Sequence, residues 1–309
     1  MTDLEQKEEM KIIEEISRLK KERDAILLAH YYVDGKVQAI ADYVGDSYYL
    51  SKVGKEAPNQ TLLFCGVSFM GESAKILSPD KTVIMADALA DCPMAHMLAL
   101  EKIDEIRMEY KDLAVVAYIN STAEIKAKAD VCVTSSNAVG VVRALPQKNI
   151  FFVPDEHLGR YVKKQVPEKH FILNDGFCHV HTSIKKQNVE EAKKAKPDAK
   201  VLVHPECTED VIQMADYVGS TSGILEYATN SSSKEFIICT EMGILYELMQ
   251  KNPNKRFYSV GHRQFCPNMK RISLKKVRDA LKEGKGISVE EKLAEKARMA
   301  LVNMHTFAK

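Results

Sequence analysis

The chain has 309 residues, of which 45% are hydrophobic and 28% are charged, a balance that supports a large folded core and argues against a disordered or fibrous protein. It carries 44 lysines and arginines against 43 aspartates and glutamates, so a formal charge of +1 lacks the basic excess of a nucleic-acid binder. The chain has no apolar run long enough to cross a bilayer, and its charged N-terminal segment does not resemble a secretory signal, so a cytoplasmic protein without membrane contact is expected.

Helical patterns and short apolar runs alternate along the chain. Helices are predicted at 4–23, 100–110 and 189–196, each just before an apolar run. Runs typical of buried strands lie at 25–29, 61–65, 82–85, 114–119, 149–153, 170–173, 201–203, 235–239 and 257–260. Strands that alternate with helices predict right-handed crossovers and parallel sheets.

An internal repeat divides the chain into three. The segment ADYVG occurs at 41–45 and 215–219, and a weaker copy, ADVCV, lies at 129–133. The three copies therefore begin 88 and 86 residues apart. This period predicts an α/β protein of three similar small parallel-sheet αβα domains around a pseudo-threefold axis.

The predicted domains are repeat 1 at 10–95, repeat 2 at 96–183 and repeat 3 at 184–270. A C-terminal helical tail follows at 271–309. It holds two charged amphipathic stretches, LKKVRDALKEG and VEEKLAEKARMALVNM. The basic residues of the tail are interpreted as a solvated face.

Three of the seven cysteines follow the same period as the repeat. Cys92, Cys178 and Cys266 are 86 and 88 residues apart, and each follows the last predicted strand of its repeat. Ligands of parallel α/β sheets bind at that end of the strands, so three thiolates around the axis could hold one metal or one cluster. An odd number of cysteines without an export signal argues against a disulfide framework, and the other four cysteines are interpreted as packing residues.

Because thiolates are soft ligands, the metal or cluster that these cysteines could bind is zinc, copper(I) or an iron–sulfur cluster. Zinc is the weaker option because structural zinc sites take four ligands, often in paired CxxC motifs that this chain lacks. A [4Fe-4S] cluster on three cysteines leaves one iron open as a Lewis acid. His179 and His181 could add a fourth ligand or tune the cluster through hydrogen bonds.

A hydroxyl residue lies six residues after the first residue of each repeat copy. These are Ser47, Ser135 and Thr221, in the turns GDS, TSS and GST that are predicted to lead into helices. Such residues are often N-caps, but hydroxyls and free backbone N–H groups at helix starts also bind anions. Three of them around one axis predict a substrate, or a pair of substrates, with several acidic groups.

Polar residues also recur where the first strand of each repeat ends. They are His30, Tyr31 and Tyr32, then Tyr118 and Asn120, then His204 and Glu206. Acids, bases and hydrogen-bond donors at one matched site are suited to proton transfer.

Together these segments resemble the quinolinate synthase family, iron–sulfur enzymes of NAD biosynthesis, over almost the whole chain. The segments that carry the resemblance are LAHYY, ADYVGDS, DCPMA, AYINST, TSSNA, GFCHVH, VHPE, ADYVGST and FCPNMK. The family is built of three similar α/β domains, which agrees with the repeat.

The resemblance implies a condensation of iminoaspartate with dihydroxyacetone phosphate to quinolinate, phosphate and two waters. It implies a [4Fe-4S] cluster on Cys92, Cys178 and Cys266, without net redox change. Residues matching those that bind substrate are His30, Ser47, Tyr118, Ile119, Asn120, Ser135, His204, Pro205, Glu206 and Thr221. Glu206 is the expected base, with Tyr32 or His30 as acid.

The expected partners are these two small molecules, with L-aspartate oxidase as a supplier of iminoaspartate. Some relatives carry further cysteines shortly after the third ligand, whereas Pro267, Asn268 and Met269 follow Cys266 here. No CxxC redox control is therefore expected. His179 replaces a proline of some relatives, and its effect stays open.

Three other functions compete with the one that the resemblance implies. An iron–sulfur hydro-lyase would dehydrate one hydroxy acid without a triose phosphate. A cluster-bearing sensor would carry a partner-binding element such as a basic patch, which is not seen. A metal-free phosphate-binding module leaves the register of the three cysteines unexplained.

Overall fold

A computed structural model describes residues 3–261 and 264–307, and within them twelve strands form three separate four-stranded parallel sheets. Each sheet is flanked by helices, so the predicted α/β class with three similar αβα domains is confirmed. The pseudo-threefold axis and the predicted domain boundaries stay predictions. The last two residues of the tail, and 262–263 of repeat 3, lie outside the described residues.

The three sheets have the same strand order. The strands are β1 (Ala25–His30), β2 (Tyr43–Gly45), β3 (Thr61–Cys65), β4 (Thr82–Met85), β5 (Leu113–Tyr118), β6 (Val131–Val133), β7 (Asn149–Val153), β8 (His170–Leu173), β9 (Lys200–Val203), β10 (Tyr217–Val218), β11 (Glu235–Cys239) and β12 (Arg256–Ser259). Each sheet runs in the order second, first, third, fourth strand, so its two central strands are the first and the third. These central strands are almost wholly buried, which explains their uniformly apolar sequences.

Helices connect successive strands, and further helices precede the first strand and follow the last. They are α1 (Asp3–Glu22), α2 (Gly35–Ala39), α3 (Ser47–Glu56), α4 (Ser68–Leu77), α5 (Leu100–Glu109), α6 (Ala123–Lys128), α7 (Ala138–Ala144), α8 (Glu156–Gln165), α9 (His179–Ser183), α10 (Lys186–Ala195), α11 (Glu209–Ile212), α12 (Thr221–Asn230), α13 (Ile244–Lys251), α14 (Pro267–Lys270), α15 (Leu274–Glu283) and α16 (Glu291–Phe307), with a 3-10 turn at Pro93–His96. Among the described residues, no helix combines the length and apolar character that crossing a membrane requires.

The chain separates into two compact units. The first unit comprises the chain up to Cys92 together with Cys266–Glu291, and thus the first sheet, α14 and α15. The second unit comprises Pro93–Phe265 together with the chain from Lys292 onward, and thus the second and third sheets and α16. Both predicted amphipathic stretches of the tail are helices, α15 in the first unit and α16 in the second.

A buried aspartate links two loops of the first unit. Asp87, in the loop between β4 and Cys92, accepts hydrogen bonds from Arg271 Nε at 2.9 Å and from Lys276 Nζ. Burial raises the pKa of Asp87, but these cations and the N–H of Leu89 lower it below its usual value. The loop that carries Cys92 is therefore tied to the segment that follows Cys266.

This contact predicts a pH-dependent stability. The Asp87→Asn substitution should lower the free energy of unfolding by about 1–3 kcal/mol at pH 7, because the ionised partner is lost. A lowered folded-state pKa stabilises the fold above the unfolded value of about 3.9, and this stabilisation is lost as the pH falls through the folded-state pKa. The difference between the two proteins in urea unfolding should therefore shrink as the pH is lowered from 7 to below about 3.9. Exposed Asp80→Asn is the matched control, and an equal deficit at both pH values would contradict the assignment.

Candidate functional site

Polar side chains follow the central strands of both sheets in the second unit. Tyr118 ends β5, Asp155 lies just after β7, His204 follows β9 and Thr240 follows β11. In each sheet, the connection after the first strand runs to one edge and the connection after the third strand runs to the other edge. The two connections therefore diverge and leave a crevice at the carboxyl ends of the central strands. All four residues are buried, so the crevice is lined by acids, bases and hydroxyls.

A buried acid–base pair occupies the centre of this group. Glu206 Oε2 lies 2.6 Å from His181 Nδ1, and these side chains are only 4% and 1% exposed. The ring of His204 stacks on that of His181, with centroids 4.5 Å apart. Glu206 Oε1 is buried and has no hydrogen-bond partner among the described residues. One carboxylate oxygen is thus fixed by His181, while the other has no donor within the part of the chain that the structure describes.

The surrounding groups keep Glu206 ionised. Burial by itself raises its pKa, but the charge and hydrogen bond of His181, the nearby His204 and a hydrogen bond from Tyr118 lower the pKa to about 2. An ionised carboxylate with an oxygen outside hydrogen bonds can accept a proton, but a pKa this low makes it a weak base until substrate changes its surroundings.

Asp155 is the second buried acid of the crevice. Its carboxyl accepts backbone hydrogen bonds, from Leu158 at 2.6 Å and from Cys178 among others. Burial, followed by the negative charge of Glu206, raises the pKa of Asp155 well above its ordinary value. The pKa values of the two acids are thus shifted in opposite directions, upward for Asp155 and downward for Glu206.

A hydrogen bond joins the second and third repeats at the predicted substrate residues. His204 Nε2 lies 3.2 Å from Ser135 Oγ. His204 Nδ1 accepts the backbone N–H of Glu206 at 3.3 Å, so the neutral ring carries its proton on Nε2 and donates it to Ser135. Tyr118, Ser135, His204 and Glu206, which are distant in sequence, are thus brought together.

The three hydroxyl turns are less alike than their spacing suggests. Ser47 and Thr221 are the first residues of α3 and α12, and the caps are instead the preceding side chains, Asp46 and Ser220. The capping role is therefore filled by a neighbour at both positions.

Ser135 lies in a turn that leads into a helix, as predicted, but three residues before the first residue of that helix. Residues 134–137 form a separate turn in which the N–H of Thr134 donates to Asn137 Oδ1 at 2.7 Å, and α7 begins only at Ala138. Of the remaining expected substrate residues, Ile119 and Asn120 directly follow β5, and Pro205 lies between His204 and Glu206.

The first unit holds the other acid–base residues in a similar turn. His30 ends β1 and is buried, and the backbone N–H of Tyr32 donates to His30 Nδ1 at 3.2 Å. The same bond links Glu206 to His204, so repeats 1 and 3 build the same turn after their first strand. Lys270 Nζ donates to the carbonyl of Tyr32 at 2.7 Å and fixes this turn against α14, the helix that follows Cys266.

The seven cysteines fall into two groups by burial. Cys65, Cys132, Cys207 and Cys239 are fully buried, and burial raises their pKa values, to about 12 for Cys132 and Cys239. Cys92, Cys178 and Cys266 are partly exposed and lie in loops or at the start of short turns and helices. Metals bind the thiolate form, and burial disfavours the thiolate. Of the seven cysteines, Cys92, Cys178 and Cys266 therefore have the environment that suits a metal ligand. This donor set fits an iron–sulfur cluster.

Cys178 also belongs to a group that could hold a metal. The ligand atoms of Cys178, His181 and Glu206 lie within 4.8 Å of one another, and Cys178 Sγ is 3.2 Å from His181 Nδ1. His181 therefore contacts the cysteine directly. His179, its neighbour on α9, is half-buried, and burial followed by the charge of His181 lowers its pKa.

Asp155 and Thr240 are site residues that the motifs did not reveal. Asp155 lies 86 residues before Glu241, which is also a buried acid, and both lie two residues after the third strand of their repeat. Aligning the repeats in this register would have identified both acids. Thr240 has no such signal, because its counterparts are Gly66 and Pro154.

Comparison with known proteins places the chain in one family. The family model for quinolinate synthetase A protein matches residues 14–306. A quinolinate synthase of Caldicellulosiruptor saccharolyticus is 52% identical over 95% of this chain and 97% of its own length. Those of Fusobacterium nucleatum and Clostridioides difficile are 52% and 48% identical over 94% and 95% of the chain, and 97% of each relative is covered. By profile and by identity, the chain belongs to the quinolinate synthetase A family.

Proposed function

We propose that the protein is a quinolinate synthase that condenses iminoaspartate with dihydroxyacetone phosphate. The products are quinolinate, inorganic phosphate and two waters, so atoms balance and no electron donor or acceptor is needed. Family membership supports the overall reaction. The observation that carries the acid–base part is the ionised, buried Glu206, one oxygen of which has no hydrogen-bond partner among the residues with a described structure.

Cys92, Cys178 and Cys266 are proposed to hold a [4Fe-4S] cluster. They are the partly exposed cysteines, whereas the other four are buried and have raised pKa values. With three protein ligands, the cluster would supply one iron as a Lewis acid that polarises a substrate oxygen.

Glu206 is proposed as the general base. Its Oε1 can accept a proton from a carbon of the condensing substrates, because no side chain or backbone N–H at positions 3–261 or 264–307 donates to that oxygen. His181 holds the other oxygen at 2.6 Å and would stabilise the charge before transfer. Leaving hydroxyl and phosphate groups need a proton donor, which we assign to Tyr32 or His30 in the first unit.

The hydroxyl turns are proposed to bind the acidic groups of the substrates. Two carboxylates and one phosphate match the three side chains Ser47, Ser135 and Thr221, supported by Tyr118, Asn120 and His204. The backbone at Ile119 and Pro205 completes the proposed pocket. Iminoaspartate hydrolyses readily in water, so we propose that an L-aspartate oxidase supplies it.

An anaerobic assay tests the proposal. The purified protein should form quinolinate from freshly generated iminoaspartate and dihydroxyacetone phosphate, detected by liquid chromatography. Omitting either substrate should abolish the product. Dehydration of a single hydroxy acid without the triose phosphate would favour a hydro-lyase, and absence of quinolinate from an iron-loaded sample would refute the proposal.

A further inference from the structure

The ring of His181 is held at both nitrogens. Thr240, fully buried, places Oγ1 2.9 Å from His181 Nε2. On the opposite side, Nδ1 lies 2.6 Å from Glu206 Oε2 and 3.2 Å from Cys178 Sγ. Thr240 is therefore connected through one imidazole to the proposed base and to a proposed cluster ligand.

A hydroxyl is well suited to the Nε2 side of this ring. When the ring is neutral and Nδ1–H donates to Glu206, Nε2 needs a donor, and the Thr240 O–H can supply it. With Thr240 on one side of the ring and Glu206 on the other, the imidazole is held in one orientation.

The backbone of Thr240 is fixed by a buried amide. Gln264 Nε2 donates to the carbonyl of Thr240 at 2.9 Å and to that of Ile238 at 2.8 Å. The corresponding residues in the other two repeats, Gly66 and Pro154, carry no hydroxyl. The fold of a repeat therefore does not require a hydroxyl at this position, so the hydroxyl of Thr240 has a role specific to the third repeat.

We propose that Thr240 is a positioning residue that fixes the orientation and tautomer of His181, so that Nδ1 faces Glu206 and Cys178. This inference rests on the proposed function, since the pair His181 and Glu206 serves proton transfer there. Thr240 is too deeply buried to be assigned a direct role on the substrate.

Steady-state kinetics of the cluster-loaded full chain provide the first test. Thr240→Val replaces the hydroxyl with a methyl group and should lower kcat about tenfold to a hundredfold, because Nε2 loses its partner in a buried site. The KM values should change less than about threefold, since the substrate-binding side chains remain. Thr240→Ser keeps the hydroxyl and should restore kcat to within about threefold of the wild type.

A spectroscopic measurement tests the contact independently of activity. In the full-length chain before cluster loading, nitrogen-15 NMR of the histidine rings should show a shift of the His181 Nε2 signal in Thr240→Val and not in Thr240→Ser. The signal is assigned by its loss in His181→Gln. Thr229→Val is the control, because it removes a threonine hydroxyl outside the site that donates to the carbonyl of Leu225 and accepts from Asn252 Nδ2.

The outcomes separate the two proposals. A Thr240→Val protein with wild-type kcat, or with an unchanged His181 ring signal, would overturn the role of Thr240. A Thr240→Ser protein as slow as Thr240→Val would overturn it too. If the wild type makes no quinolinate, the proposed function fails, whereas the ring signal still decides whether Thr240 fixes His181.

Discussion

Cys178→Ala is expected to lose both bound iron and quinolinate formation, and Cys92→Ala and Cys266→Ala should do the same. With three protein ligands, removing one thiolate leaves the cluster without the support it needs. Loss of the Lewis acid removes several kcal/mol of stabilisation, so activity should fall at least about a thousandfold. Iron and sulfide analysis after anaerobic purification, beside the quinolinate assay, measures both effects.

A buried cysteine gives the matched control for this series. Cys132 lies in β6, is fully buried and has a raised pKa, so Cys132→Ala should keep iron and activity. If Cys92→Ala, Cys178→Ala or Cys266→Ala retained full iron and full activity, the assigned ligand set would be wrong. If all three kept iron while losing activity, these cysteines would have a role other than cluster binding.

Glu206→Gln is expected to lower kcat by about a hundredfold to ten-thousandfold, the usual contribution of a general base. Glutamine has nearly the same shape, and it can still contact His181, but it cannot accept a proton at the position of Oε1. Iron content should stay at the wild-type level, because Glu206 is not among the proposed ligands. Rapid-quench or steady-state assays on iron-matched samples measure the change.

Glu209→Gln controls for loss of a carboxylate in the same segment. Glu209 starts α11 three residues later and pairs on the surface with Lys164. The Glu209→Gln variant should therefore have the kcat of the wild type. Activity of Glu206→Gln within threefold of the wild type would exclude Glu206 as the base. Loss of iron in Glu206→Gln would instead indicate a metal held by Cys178, His181 and Glu206.

The central strands could be predicted from the sequence because they are buried on both faces. The bounds of the central strands β3, β7 and β11 agree with the apolar runs, and those of β1, β5 and β9 differ by one residue at one or both ends. Of the edge strands, β4 and β8 also agree, and β12 is shifted by one residue. The edge strands β2, β6 and β10 were not predicted as strands. They have two or three residues each, too few to show a period, although the repeat had singled out the same segments.

The sequence predicts which residues follow a strand, but it does not predict their contacts. Placement after a strand indicates which end of a sheet a residue occupies, and this was sufficient for His204 and Glu206. The hydrogen bonds of His204 to Ser135 and of His181 to Thr240 join residues 69 and 59 positions apart. Such contacts depend on how the second and third sheets pack, which no local pattern reports.

The most direct test of the central claim relates activity to cluster occupancy in a single preparation. Iron-free protein, reconstituted anaerobically to a series of iron and sulfide contents, should form quinolinate at a rate proportional to the fraction of chains with a [4Fe-4S] cluster. The iron-free sample should be inactive. Quinolinate formation that is independent of iron content would contradict the account.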